Sequence, residues 1–295
     1  MLTEKVRNFI SYILNFIRTN SKDILVLVTL ALTVWLTAFR YTHDVERLYY
    51  RLLRIDNLYP PYNYRILPII LEVGASSLTG LSLETVSVTL SVFFMLGASL
   101  ILRTKEELIW SALPLAWLAL IGWRSVLLQD CLAFFLLVVC LVVDRKWVNY
   151  LIAPILGLTR EVAVGFLFLI EIYKKRYDAA ILTAILGGAV AIVVRLLIPG
   201  EMGFTLLIIL SPGVLTIDAL IVILCDLGFV IAIWFIYGKR DTWWIVALWS
   251  LLMVVMAVPS EVRLWLPIFL LITKNSLSQQ QFEEASNPDA IESET

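Results

Sequence analysis

The run from Val148 to Ile172, VNYLIAPILGLTREVAVGFLFLIEI, sets an arginine and a glutamate side by side at positions 160 and 161 of an otherwise apolar stretch. Val148–Leu158 before them and Val162–Ile172 after them are eleven residues each. At 1.5 Å per helical residue each covers only ~16 Å, about half of the ~30 Å hydrocarbon core of a bilayer. Neither half crosses a membrane alone, so Arg160 and Glu161 are placed at depth. Glu261 and Arg263 stand in the same way before the short apolar run Leu264–Thr273. Ionisable groups at that depth are costly and face a bundle interior or an aqueous cavity. The two pairs predict the floor of a polar pocket inside the membrane.

The composition points to the same class. Hydrophobic residues make up 60% of the chain and charged ones 16%, with a mean hydropathy of +0.89. Several nearly uncharged runs describe an all-α, polytopic helical membrane protein with about ten membrane helices, some short or broken. A net charge of -1 leaves no basic face for nucleic acid. Cys131, Cys140 and Cys225 fall in apolar segments and read as small buried hydrophobes. His43 is the single histidine, which excludes multi-histidine zinc sites and paired-histidine haem ligation.

Three regions follow. Residues 1–23 carry Lys5, Arg7, Arg18 and Lys22 around an amphipathic stretch, an interfacial helix on the cytoplasmic side. Residues 24–274 form the membrane domain. Its spans are Ile24–Phe39, Thr85–Leu102, Leu108–Trp123, Asp130–Val143, the broken pair Val148–Ile172, Ala179–Ile198, Ile217–Tyr237, Thr242–Val258 and Leu264–Thr273. Residues 275–295 form a polar, acidic, disordered tail. Counting the broken pair as two gives ten crossings and both termini in the cytoplasm. In that arrangement all eight lysines lie inside, and the nine basic residues of the outer half are all arginines. Arginine's planar fork suits phosphate and carboxylate and tolerates desolvation better than lysine.

The first outer loop, residues 40–84, is the longest between spans. Asp44 to Asp56 predicts a helix lying on the membrane, with Val45, Leu48, Leu52 and Ile55 on one face and Asp44, Arg47, Arg51 and Arg54 on the other. Pro60 and Pro61 end it. Tyr62-Asn63-Tyr64-Arg65 then leads into a partly submerged helix, Ile66–Leu83, which contains Glu72. If that helix spans instead, everything downstream changes side.

An acidic residue in a large outer loop, a Pro-Pro-aromatic turn, a submerged helix ending Gly80-Leu81-Ser82, and a span closing on Arg103-Thr104-Lys105 come in order. Asp130 opening a later span, Leu158-Thr159-Arg160-Glu161 in a broken hairpin, and Ser260-Glu261-Val262-Arg263 follow. This order resembles the GT-C superfamily of polytopic glycosyltransferases, which includes protein mannosyltransferases and aminoarabinose transferases, in a minimal form without a soluble domain. The resemblance rests on spacing and short motifs across the membrane region.

It implies sugar transfer from a polyprenyl-phosphate donor to an acceptor glycan, lipid or protein at the extracytoplasmic face. Asp44 would be the general base, with Glu46 as a substitute; the second acid that protein mannosyltransferases place directly after it is absent, since Val45 follows. Arg65, Arg160 and Arg263 would hold the departing lipid phosphate, with Arg47 and Asp130 lining the site and Glu161 and Glu261 orienting the arginines. A divalent metal on Asp44, Glu46 and Asp130 occurs in the pattern of some relatives, and the spacing does not require one.

Plainer readings stand beside these. Asp44 and Asp130 can each be helix caps, the arginine row can meet lipid phosphates, and the Arg160–Glu161 and Glu261–Arg263 pairs can lock helices together. Asp218 and Asp226 share one face of a span and suit a proton path. Two other classes therefore remain open: a secondary transporter, favoured by discontinuous helices and Asp226, and a non-catalytic membrane assembly subunit.

Overall fold

The computed structural model describes residues 2–53, 66–118, 128–197, 242–256 and 270. Within them the protein is all-helical, with no strand. The helices are α1 (Leu2–Thr19), α2 (Ser21–Leu53), α3 (Ile66–Thr79), α4 (Leu83–Arg103), α5 (Leu108–Trp117), α6 (Leu128–Val143), α7 (Lys146–Thr159), α8 (Glu161–Tyr173), α9 (Tyr177–Leu197) and α10 (Trp243–Met256). Among the described residues two helices, over Leu83–Arg103 and Tyr177–Val194, are long and apolar enough to cross a membrane. Each of α4 and α9 is ~31 Å long, enough for the hydrocarbon core.

Helix α6 is the centre of the bundle. Its residues Leu128 to Phe134, Leu137, Val138, Cys140 and Leu141 are all buried, covering every side of the helix, as expected of a segment that is apolar all round. It runs parallel to α4. Ser91 shares a hydrogen bond with Cys131, Phe94 packs on Phe135 with centroids 5.5 Å apart, and the Phe135 ring fills the space beside Gly97. Residues three to six apart on α4 thus meet residues at most four apart on α6, all in the same direction. Helix α2 lies antiparallel to α4: Arg103 donates to Asp23 from Nε at 2.8 Å and Nη2 at 2.5 Å, and the Trp35 indole donates to Thr89 at 3.0 Å.

Four charged or polar contacts fix a basic end of the molecule. Asn149, in the first turn of α7, donates to Glu171, in the last turns of α8, at 2.8 Å. Lys146 at the start of α7 pairs with Asp178 at the start of α9 at 2.6 Å, and donating that bond raises the lysine's pKa above the ordinary range. Lys174 and Arg176, between α8 and α9, both pair with Asp144, the Arg176 contact being 2.7 Å. Helices α7 and α8 therefore form an antiparallel hairpin that enters and leaves at the same end. Helix α7 is ~21 Å long and α8 ~20 Å, each shorter than the ~30 Å hydrocarbon core of a bilayer.

Small residues let α9 lie against that hairpin. A Cβ on Gly157 would overlap the carbonyl oxygen of Gly187, and one on Gly187 would come within 2.8 Å of the Ala153 carbonyl oxygen and 2.6 Å of Val164. Backbones this close need glycine on both sides. Trp249 of α10 then packs edge-on to Phe166 of α8, with centroids 4.9 Å apart.

The outer loop differs from its expected form. Helix α2 does not stop near Phe39 for a new surface helix at Asp44; it continues to Leu53. The reason is in the sequence, which has neither glycine nor proline from residue 21 to 53. Asp44 thus lies within a helix and does not cap one. Helix α3 ends at Gly80, whose φ of +69° is a left-handed conformation that glycine adopts without strain. Ser82 then starts α4, its Oγ accepting from the Thr85 N–H at 3.2 Å.

Candidate functional site: a buried ion pair at a helix break

The hairpin tip is Arg160. Pro154 removes one helical N–H from α7, and the Thr159 hydroxyl donates back to the Ile155 carbonyl at 2.7 Å, a bond that bends helices. Arg160 follows in extended conformation, φ -160° and ψ 104°. Its N–H still donates to the Leu156 carbonyl at 2.6 Å, closing α7, and its carbonyl accepts from Ala163, opening α8 at 3.0 Å. No side chain caps the start of α8. The positive end of the α8 dipole therefore lies at the Arg160 backbone, the residue that carries the buried guanidinium.

Asp130 supplies the counter-charge. It stands in the first turn of α6 and forms an ion pair with Arg160. Both residues are almost completely buried, at 5% and 6% exposure. Helical rise gives their position: Asp130 is fourteen residues from Asp144 and Arg160 fourteen from Lys146, so each lies ~20 Å from the basic end. Asp130 is thus not a surface cap. The pair is held from two directions, along α6 and along the hairpin, and is buried inside the bundle.

Other buried polar groups share this level. Ser91 is beside Cys131, and Ser87 lies one turn further along the same face of α4. Gln129 precedes Asp130 and is buried, and among the described residues its Nε2 has no hydrogen-bond partner. Thr159 precedes Arg160 and is fully buried. Glu72 on α3 is a further buried carboxylate. Helix α3 packs against α4, α6 and α7, and its buried residues are Pro68 and Glu72, the latter only 2% exposed. Its apolar residues Ile70, Val73 and Leu78 face outward. A helix with its acid inside and its aliphatic side chains outside suits a lipid exterior around a polar interior.

Of the residues predicted from sequence, the structure brings together Asp130 and Arg160. Glu161 occupies the first turn of α8, where a carboxylate suits the helix dipole. Asp44 and Arg47 are on the α2 backbone, with side chains outside the description. The contacts of Asp23 with Arg103 and Trp35 with Thr89 give α2 its register. Continuing it puts the Asp44 backbone ~34 Å from the basic end of α2, some 14 Å beyond the Asp130–Arg160 level. Arg65, Glu261 and Arg263 lie outside the described residues, as do Asp218, Asp226 and Cys225. Among the described residues no group of three or more His, Cys, Asp or Glu side chains could hold a metal ion.

Sequence reading named Glu72 without giving it a role and passed over Glu171. Glu171 hid in the run Val162–Ile172, yet it is fully buried and surrounded by Asn149, Lys174 at 3.8 Å and Arg176 at 3.9 Å. The signal for Glu72 was its spacing from Pro68, four residues, inside a helix otherwise rich in aliphatic side chains. Comparison with known proteins returns no matching family model, no matching curated protein and no matching solved structure.

Proposed function

We propose that the protein is a polytopic membrane glycosyltransferase whose Asp130–Arg160 centre receives the phosphate of a polyprenyl-phosphate sugar, with the basic end in the cytoplasm. The observation that carries this reading is an arginine, buried ~20 Å deep at a helix break, beside an uncapped helix N-terminus. Measured from the far end of the ~31 Å α4 the pair is only ~10 Å in, within reach of a phosphate whose polyprenyl tail stays in lipid, and arginine with helix-terminal N–H groups binds phosphate well. Asp130 would hold the guanidinium in place until substrate arrives. In the transition state, charge grows on the phosphate oxygen that leaves the sugar, and the guanidinium stabilises it. A carboxylate must take the acceptor's proton. Asp44 serves if the acceptor enters from the far end, and Glu72 is the buried alternative. Loops, or a partner, would then recognise the acceptor.

The test is transfer of labelled sugar from a polyprenyl-phosphate donor by membranes containing the protein. Arg160→Lys, present at normal levels, should abolish transfer, because lysine cannot reproduce the planar two-point contact. Retention of transfer would refute the assignment. A second reading, a secondary transporter, is favoured by the α7–α8 break itself, since transporters place half-helix ends at their binding sites. Ion-dependent uptake into liposomes, without sugar transfer, would select it.

A further inference from the structure

We infer that α1 is a docking surface for anionic lipid headgroups, held flat against the membrane at the basic end. The corner between α1 and α2 is built at Asn20. Its side chain donates to the Phe16 carbonyl at 3.0 Å, finishing α1, and its own carbonyl accepts from Ile24 at 2.9 Å, starting α2. The segments Ile10–Thr19 and Ser21–Thr37 meet there at 82°. Three residues into α2, Asp23 is tied to Arg103, the last residue of the membrane-length helix α4. The corner is therefore level with the end of a span, and a helix turned through a right angle at that level runs in the plane of the membrane surface.

The side chains of α1 suit that plane. Ile10, Leu14 and Ile17 are exposed and fall within a strip about 60° wide at 100° per residue. Arg7 and Arg18, both exposed, stand near opposite ends of the helix along one edge of this strip. Asn15 is turned away from its centre by about 130°. Aliphatic side chains can enter the acyl region while the two guanidinium groups meet headgroup phosphates, the arrangement of an interfacial helix. The charge of the surroundings reinforces the choice of an anionic partner. Exposed Lys22 lies beside the corner, and the exposed basic residues Lys105, Arg145 and Lys175 share this end of the bundle. Asp23, the acid nearest the corner, is already paired with Arg103.

The full chain, with Cys131, Cys140 and Cys225 changed to alanine, can be reconstituted in bilayers of phosphatidylcholine alone or mixed with phosphatidylglycerol. Spin labels are placed at Leu14→Cys or Asn15→Cys. In phosphatidylglycerol bilayers the label at 14 should be reached by oxygen and shielded from a water-soluble nickel reagent, while the label at 15 shows the reverse. Each basic residue near an anionic surface contributes roughly fivefold. Changing Arg7 and Arg18 to glutamine should lower the immobilised fraction relative to the free one by about twenty-five-fold in the mixed bilayers, with little change in phosphatidylcholine. Equal nickel access at both positions would overturn the docking, as would a label at 14 shielded from oxygen and nickel alike, which marks a protein contact. Insertion that is the same in both lipids, or indifferent to the arginines, would overturn the anionic headgroup as partner.

Discussion

At the residue scale the central fact is one buried pair, Asp130 and Arg160. Removing one member strands the other: Asp130→Asn should cost about 3–5 kcal/mol, whereas a volume-matched apolar pair is often neutral or stabilising. Thermal unfolding of the detergent-solubilised protein should therefore rank Asp130→Leu/Arg160→Met above Asp130→Asn. The double variant should still fail to transfer sugar, which separates the pair's chemical role from its structural one. Glu72→Gln keeps size and burial; if Glu72 is the proton acceptor, the transfer rate should fall by about 10²–10⁴-fold. A normal rate there, with loss in Asp44→Asn, would return that role to α2. Arg160 was legible in the sequence because a charged pair between two half-length apolar runs breaks a simple count. Its partner was not, since nothing in a linear chain says which of several acids thirty residues away shares its depth.

At the element scale the hairpin of α7 and α8 depends on its turns. Lys175 has a φ of +58°. Its N–H donates to the Ile172 carbonyl at 2.8 Å, and the Arg176 N–H to the Glu171 carbonyl at 2.9 Å, the pairing of a Schellman end at the position glycine usually takes. A left-handed backbone costs a residue with a Cβ about 1–2 kcal/mol, part of which glycine's freer unfolded chain offsets. Lys175→Gly should raise stability by about 1 kcal/mol, visible as a higher midpoint of thermal unfolding. Gly187→Val should do the opposite, costing about 1–3 kcal/mol or more by pushing α9 off the hairpin. Helix α4 was legible because its apolar run is long enough to span and sits between a serine cap and a basic end. The extent of α2 was misjudged: a change from apolar to amphipathic sequence after Phe39 altered the helix's surroundings, and without glycine or proline it could not end the helix.

At the scale of the whole molecule, the basic side chains are sorted. Among the described side chains, Arg103, Lys105, Arg145, Lys146, Lys174, Lys175 and Arg176 are gathered at one end, and Arg160 lies in the interior. Under the proposed orientation, Lys105→Cys, Lys146→Cys and Lys175→Cys should all react with an impermeant thiol reagent from the same face, and Leu81→Cys from the opposite one. Labelling of 146 and 175 from different faces would dismantle the hairpin. The all-helical class was legible from composition because few other architectures satisfy so much backbone in an apolar setting. The number of crossings was not: among the described residues α4 and α9 are long and apolar enough to cross, and hydropathy does not tell two short spans from a hairpin that turns back. The hairpin also has a mechanical signature. Since α7 and α8 are rooted at one face and bound tip-first to α6 and α9, a tether pulling from beyond α9 should extract them together after α9 has left. Force spectroscopy should record a single rupture that releases the 28 residues from Lys146 to Tyr173, a length gain of ~100 Å, with no stop at Arg160.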